Sequence, residues 1–532
     1  MTSEKTQKTI LERNHARFSW VQQRALLAFE QRKFDQAIGW AYIAGFCAWR
    51  AHMGQFTHPG LEFMLHTIGA DLKHLNKKKK TATSPRFSQR RWLHVLSSAF
   101  GIGGHTRLVQ QWIRKDIGKA ECHSAILTDQ RNYSAPDWLK EVVLATGGDF
   151  SILPSSMSIF ERACALHEVA ISNADIIVLH TNPNDPLPLL AFANEGLPPI
   201  ILMNHADHVF WFGATAADVV ADLRPTAQAI TQRRRFIDNS QLLPIPLELP
   251  ALPTESKKEI RQRLDLPENA VVLLSIGSNY KYLPYGNLNF PETAIRILHE
   301  NQSAVLVVIG TDKKNKDWQL ASKKIGNRLV LAGQQTNIVD YYRASDVYLE
   351  SFPLGSLTAT LDAVLYGAPV IRAPQLVLDI LGLDCYDGMN SNANSSEEYC
   401  SYVKNLINDS AKREELLQLQ KQSVASAHTG DGWRQQRDTL LNSLPEHHLL
   451  DFTHHNLPTN VFEQSDEVWA GLQYLHEGKK ILSRAYFDNP AYSSCLKPSM
   501  LDRLQALTLL RRQYHPEFRT IMMKINKRLP EV

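Results

Sequence analysis

The chain has 532 residues, 44% of them hydrophobic and 21% charged, with a formal net charge of +4. This is an ordinary globular composition with length for roughly two to four domains, and the charge is too slight to call for a nucleic-acid partner. The six cysteines, Cys47, Cys122, Cys164, Cys385, Cys400 and Cys495, form no C-x-x-C pair, so no zinc or dithiol motif is expected and the thiols read as reduced ones in a cytosol.

The first ten residues are polar and have no signal-peptide core. The longest uncharged apolar stretch, 37–49, falls short of the roughly 20 residues a bilayer requires. A cytoplasmic location is expected. Apolar residues spaced by three and four, from Trp20 and Val21 through Leu26, Phe34 and Ile38 to Tyr42, predict a helical hairpin turning near Lys33. Residues 1–75 are expected to form an N-terminal helical region. Residues 76–90 carry Lys77 to Lys80, Arg86 and Arg90 with no acid, and read as a basic linker, in peripheral contact with a membrane at most.

From Trp92 the pattern alternates between short apolar strands and helices. Strands are predicted at 92–97, 125–128, 176–180, 200–204, 219–223 and 242–245, with helices between them at 105–114, 156–171 and 187–194. Pro244, Pro246, Pro250 and Pro253 make a stiff connection. A second series follows, with strands at 271–276, 304–309, 328–332, 346–349 and 369–372 and helices at 291–300, 338–344, 356–365 and 396–407. Such alternation implies an α/β fold: two doubly wound, Rossmann-like domains, 91–246 and 247–440, facing a cleft at the carboxyl ends of their strands. Residues 441–532 look helical again, through Trp469, Leu472 and Leu475 to Leu501–Leu510.

Four segments carry chemistry. Ser97-Ser98-Ala99-Phe100-Gly101-Ile102-Gly103-Gly104-His105 follows the first strand. Gly103 and Gly104 let the backbone approach an anion at the start of the next helix. The run lacks the G-x-G-x-x-G spacing of a dinucleotide enzyme. The second segment, Gly277-Ser278-Asn279-Tyr280-Lys281, ends a buried strand. There Lys281, beside Ser278, is expected to reach a pyrophosphate and offset the charge growing on a leaving nucleotide diphosphate.

The third segment runs from Glu350-Ser351-Phe352-Pro353-Leu354-Gly355 into a helix at Ser356-Leu357-Thr358. Gly355, Ser356, Leu357 and Thr358 present N–H groups and hydroxyls to phosphate oxygens, and Asp362, one turn on, is placed for ribose hydroxyls. The fourth, Met203-Asn204-His205-Ala206-Asp207-His208, ends a strand of the first series. His105, His205 or Asp207 is expected to deprotonate an acceptor, and His180 and His208 to contact it. No metal site is expected.

Over roughly residues 90 to 440 the chain resembles GT-B glycosyltransferases. The resemblance rests on Glu259–Pro267 before Val271–Gly277, and on Ala344–Leu349 followed by Asp362-Ala363 and Gly367-Ala368-Pro369-Val370-Ile371. Retaining enzymes of this fold carry two glutamates with seven residues between them, where this chain has Leu354 and Asp362. Tyr280-Lys281 before Pro284, and the run Glu350–Gly355, are more similar to O-linked N-acetylglucosamine transferases and bacterial cytoplasmic N-glycosyltransferases. The resemblance implies a UDP-sugar substrate and no cofactor, with Lys281 on the pyrophosphate, Asp362 on the ribose and the base against Gly333 to Gln335. It implies hexosyl transfer to a hydroxyl or amide of a protein or glycan, with a lean toward inversion. A non-catalytic GT-B partner subunit or glycan-binding protein, motivated by the missing first acid, and a nucleotide-sugar epimerase remain the alternatives.

Overall fold

The computed structural model describes residues 4–72, residues 89–447 apart from 102, 132, 195, 312–313, 383 and 385–392, residues 462–477, and the single positions 481, 484, 485 and 492. Most of the expected basic linker, 76–88, therefore lies outside the described residues, as does most of the C-terminal region beyond 477.

The first sheet has seven parallel strands: β1 Arg90–Leu96, β2 Glu121–Leu127, β3 Phe150–Ile152, β4 Ile176–His180, β5 Ile200–Asn204, β6 Val219–Asp222 and β7 Ser240–Leu242. Their order is β3-β2-β1-β4-β5-β6-β7. The chain order reverses between β1 and β4, which opens a crevice there between the loops that leave the two strands. All residues of β4 and β5 are buried, as expected of strands covered by helices on both faces.

The second sheet repeats the arrangement with β8 Val271–Ile276, β9 Ala304–Ile309, β10 Leu329–Gly333, β11 Val347–Leu349 and β12 Val370–Ile371, in the order β10-β9-β8-β11-β12. Its reversal lies between β8 and β11. The loops that leave those two strands carry Lys281 and Gly355-Ser356, so two segments distant in sequence meet at one switch point.

Two expectations shift. The last strand of the first sheet is Ser240–Leu242, not 242–245, because Pro244 and Pro246 have no N–H to give a ladder. Beyond it Leu243, Ile245 and Leu247 are buried beneath the helix Gly430–Asn442, which returns from the second half. Trp433 Nε1 of that helix donates to the Pro244 carbonyl at 2.7 Å. Arg437 grips Asp116 at 2.5 Å. The strand Phe150–Ile152 went unforeseen, being a half-exposed edge of three residues.

The N-terminal helices Glu4–Glu30, Phe34–Arg50 and Pro59–Leu72 share one core with the first sheet, in which Ile38, Ala41 and Phe46 meet Leu179, Leu187 and Phe210. The buried Glu62 carboxylate accepts N–H bonds from Gly213 and Thr215 at 3.1 and 2.8 Å. That contact fixes these helices against the loop after β5.

The helix Gln464–Glu477 lies against Glu4–Glu30. Its Asp466 accepts from His52 Nε2 at 2.8 Å and from Arg234 at 2.9 Å. Tyr285 of the second half donates to its Val468 carbonyl at 3.3 Å. The helix thus touches all three parts of the molecule. Among the described residues no helix is long and apolar enough to cross a membrane.

Candidate active site

On the second half, the turn after β8 is tight. Gly310 has φ +88°, and a Cβ there would meet the Gly277 carbonyl oxygen at 2.8 Å. The buried Tyr282, its hydroxyl 3.0 Å from Ser275 Oγ, pins the short 3-10 helix Asn279–Tyr282. Lys281 is thereby aimed across the switch point, where Nζ donates to the Gly355 carbonyl at 2.7 Å. Burial lowers its pKa to about 8, against the pull of the nearby Glu350 carboxylate.

Across from Lys281, the helix Leu357–Leu365 starts at Ser356, whose side chain makes no capping bond. The first-turn N–H groups of a helix have no intrahelical partners, so they face the space beside Lys281 as a positive end. Asp362 on the same helix is buried. Burial raises its pKa to about 6, with Arg107 opposing.

The first half meets this helix directly. Gly103, at φ +127°, turns the chain into the helix Gly104–Arg114. A Cβ at Gly104 would stand 2.9 Å from Thr358 Oγ1, so the glycine loop abuts the start of the opposing helix. Arg107, one turn on, lies 3.6 Å from Asp362.

A cavity of about 350 Å³ occupies the cleft. Lys281, Gly355, Ser356 and Leu357 wall it from the second half, and His205, Asp207, His208 and Arg224 from the first. His205 Nδ1 is 3.2 Å from the Met203 carbonyl. Burial, with His105 adding, lowers its pKa to about 3, so it is neutral and weakly basic.

Asp207 differs from the expectation. Arg224 holds it through Nε and Nη2 at 2.7 and 2.9 Å. Burial raises its pKa, but Arg224 and His208 together outweigh that and carry it well below the carboxylate range. A carboxylate so held is a poor base. Its other neighbour, His208, has Nδ1 2.9 Å from Asp207 Oδ1 and a side chain 39% exposed in the cavity wall.

Two more expectations are corrected. His180 is fully buried and cannot touch an acceptor. It belongs to a chain of buried rings, with Nε2 3.0 Å from His94 Nδ1, His94 Nε2 2.9 Å from His123 Nδ1, and His123 Nε2 3.2 Å from Asp116. His105 spends its Nε2 proton on the His180 carbonyl at 2.7 Å and lies with its ring tilted against His205, centroids 4.3 Å apart, outside the cavity wall.

Gly103, Gly104, Ser278, Thr358, Asp362, Gly333 and Gln335 also stand outside that wall. Gly333 closes β10 and accepts from Gly310 N at 2.7 Å. Gln335 is exposed and turns its amide back to the Ala332 carbonyl at 2.7 Å. Both lie at the carboxyl edge of the sheet, beyond β8 and β9 from Ser356. Sequence reasoning missed a third part of the cavity wall, which comes from the helical extensions: Trp49 and Arg50, then Trp469, Gln473, His476 and Glu477.

No protein-family model matches the chain, and no curated protein does. Solved structures do. Anabaena Alr3699/HepE, in complex with UDP and glucose, is similar at a TM-score of 0.51 and 14% identity, covering 67% of this chain and 100% of that one. A glycosyltransferase from Rickettsia africae gives 0.49 and 12%, covering 66% and 98%. An O-GlcNAc transferase from Thermobaculum terrenum gives 0.45 and 15%, covering 76% and 79%. At such identities the likeness is one of fold. Two parallel sheets with their carboxyl edges across one cleft make this a GT-B architecture, the fold of nucleotide-sugar glycosyltransferases.

Proposed function

We propose that this protein transfers a hexosyl group from a UDP-sugar to a hydroxyl or amide of a glycan or protein acceptor, without a metal ion. The observation that carries the reading is the convergence of Lys281 and the uncapped start of the helix Leu357–Leu365 at the switch point of the second sheet. One fixed cation and one helix dipole then face the same small space. A departing nucleoside diphosphate gains negative charge as the glycosidic bond breaks, and both groups stabilise that charge more in the transition state than before it. Asp362 takes the ribose hydroxyls, and Gly333 and Gln335 flank the base.

On the opposite wall, His208 is the group suited to accept the acceptor's proton. Its Nδ1–H is spent on Asp207, which leaves the Nε2 lone pair, and the carboxylate stabilises the imidazolium that forms. Asp207 is then a positioning residue and Arg224 its anchor. His205, neutral and weakly basic, is a lesser candidate. Base and leaving group on opposite walls favour a single displacement with inversion at the anomeric carbon. A cytoplasmic site of action belongs to the same reading.

The test is calorimetric titration of UDP into the wild type and Lys281→Met, followed by product analysis with UDP-glucose and UDP-N-acetylglucosamine. UDP binding that weakens in the variant, with sugar release or transfer by the wild type, is the expected result. Binding without any turnover points instead to a non-catalytic partner subunit. Equal UDP affinity in both proteins removes Lys281 from the donor site.

A further inference from the structure

The cavity continues past the diphosphate-facing groups to a wall that belongs to neither sheet domain. Trp49 and Arg50 end the helix Phe34–Arg50, and Trp469, Gln473, His476 and Glu477 lie on Gln464–Glu477. This wall is built in. Gln473 accepts the His52 N–H at 2.5 Å and donates to the Trp49 carbonyl at 3.1 Å. The His476 ring stacks on Tyr280 at 3.9 Å and 20°, next to Lys281. The helix is thus registered against the donor-facing turn itself.

Its charges are already paired. Glu477 takes Arg50 and Arg484, each at 2.7 Å, and Asp207 takes Arg224. Two donors of this wall are left over, Arg50 Nε and the Trp469 indole N–H, both buried with no partner, the latter in a residue 4% exposed. A tryptophan N–H can only donate, and a buried donor left alone is destabilising, so its place in a ligand cavity is informative. The occupant must offer an acceptor atom there, carry no net charge, and lie against the aromatic edges of Trp49, Tyr280 and Trp469.

We infer that this end of the cavity is the acceptor subsite, that the acceptor moiety seated in it is a neutral pyranose of a glycan, and that Trp469 donates its indole N–H to a sugar oxygen. This rests on the donor reading above. A pyranose is uncharged, rich in hydroxyl acceptors, and has C–H faces that suit aromatic rings. An extended polypeptide is the poorer fit, because no residue of the wall lies on an edge strand of either sheet, so the peptide has no main-chain ladder to join.

Saturation-transfer NMR on the full chain, with UDP present, tests this with methyl β-D-glucopyranoside, methyl β-D-galactopyranoside and a capped Ala-Asn-Ala-Thr-Ala peptide as probes. The wild type should transfer saturation to a glycoside and not to the peptide. Trp469→Phe keeps the ring and loses the N–H, and should bind that glycoside about five- to tenfold more weakly, the worth of one neutral hydrogen bond, with unchanged UDP affinity by calorimetry. Trp469→Ala should abolish the signal while its thermal midpoint verifies folding. A glycoside signal indifferent to Trp469→Phe overturns the inference, as does a peptide signal in place of the glycoside one. If UDP binds and neither glycoside gives a signal, the inference alone falls. If UDP fails to bind the wild type, the donor reading falls and this one with it.

Discussion

Arg107 of the first half reaches Asp362 of the second at 3.6 Å, so the carboxylate assigned to the ribose already has a cation from the other side of the cleft. Asp362 is buried and its pKa stands at about 6, burial raising it and Arg107 holding it down. Its charged form accepts two hydroxyls, and protonation forfeits part of that. UDP affinity is therefore expected to fall as pH drops through about 6. Asp362→Asn should flatten that limb and weaken UDP about tenfold or more at neutral pH, the worth of a hydrogen bond to a charged group. Calorimetry with UDP-glucose, whose diphosphate has no ionisation between pH 5 and 9, measures both, and an acid limb that survives in the variant sinks the assignment.

The alkaline side belongs to Lys281. Burial has brought its pKa to about 8, so in the free protein it loses its charge as pH rises past that value. Since the diphosphate binds the charged form, affinity should decline above about pH 8. Lys281→Met should remove this limb and reduce kcat by about 10²- to 10³-fold, as removal of one preorganised donor does elsewhere. A variant that turns over like the wild type refutes the role.

The base lies on the other wall. His208→Gln is expected to lower kcat by about 10²- to 10⁴-fold with UDP affinity unchanged, because His208 faces the acceptor. Asp207→Asn should lower kcat while leaving the donor KM alone, a split that loss of packing does not produce. His205→Gln should have the smaller effect. If His205→Gln abolishes turnover and His208→Gln does not, the two roles are exchanged.

The readable parts of the fold are those whose cause is local. The strands Ile176–His180, Ile200–Asn204 and Ala304–Ile309 are buried on both faces, so they appear as unbroken apolar runs. Gly277 and Gly355 mark the loops that leave β8 and β11, which is why Lys281 and Ser356 could be picked out together. Phe150–Ile152 lacks such a run because it is an exposed edge.

The unreadable parts are set by distant partners. Nothing near Trp469 announces a cavity, since the residues that face it there include His208 and Trp49, from separate parts of the chain. His180 and His208 look alike in sequence, and only the packing of His94 beneath one and the carboxylate of Asp207 beside the other tell them apart.

The helix Gln464–Glu477 makes the last prediction, through its anchor. Asp466 is fully buried and accepts from His52 Nε2, from both contacts of Arg234 Nη2, and from the Glu463 N–H at 2.9 Å. Burial works to raise its pKa, yet the hydrogen bond and charge of His52 and the charge of Arg234 prevail, and the pKa is lowered. A carboxyl depressed in the folded state stabilises the protein above its unfolded pKa of about 3.9, and that stability is lost as pH falls through the folded value. Asp466→Asn takes the carboxylate away from the buried His52 and leaves Arg234 with Glu463 alone, at 3.0 Å, and should cost about 3 kcal/mol at pH 7. It should be read as a lower thermal midpoint and faster proteolysis near residues 462–477, with the gap to wild type narrowing below about pH 4. Because the helix bears the acceptor wall and only borders the donor one, transfer should suffer more than UDP binding. An Asp466→Asn protein that melts with the wild type, or loses UDP and transfer in equal measure, contradicts the helix's place as an anchored part of the site.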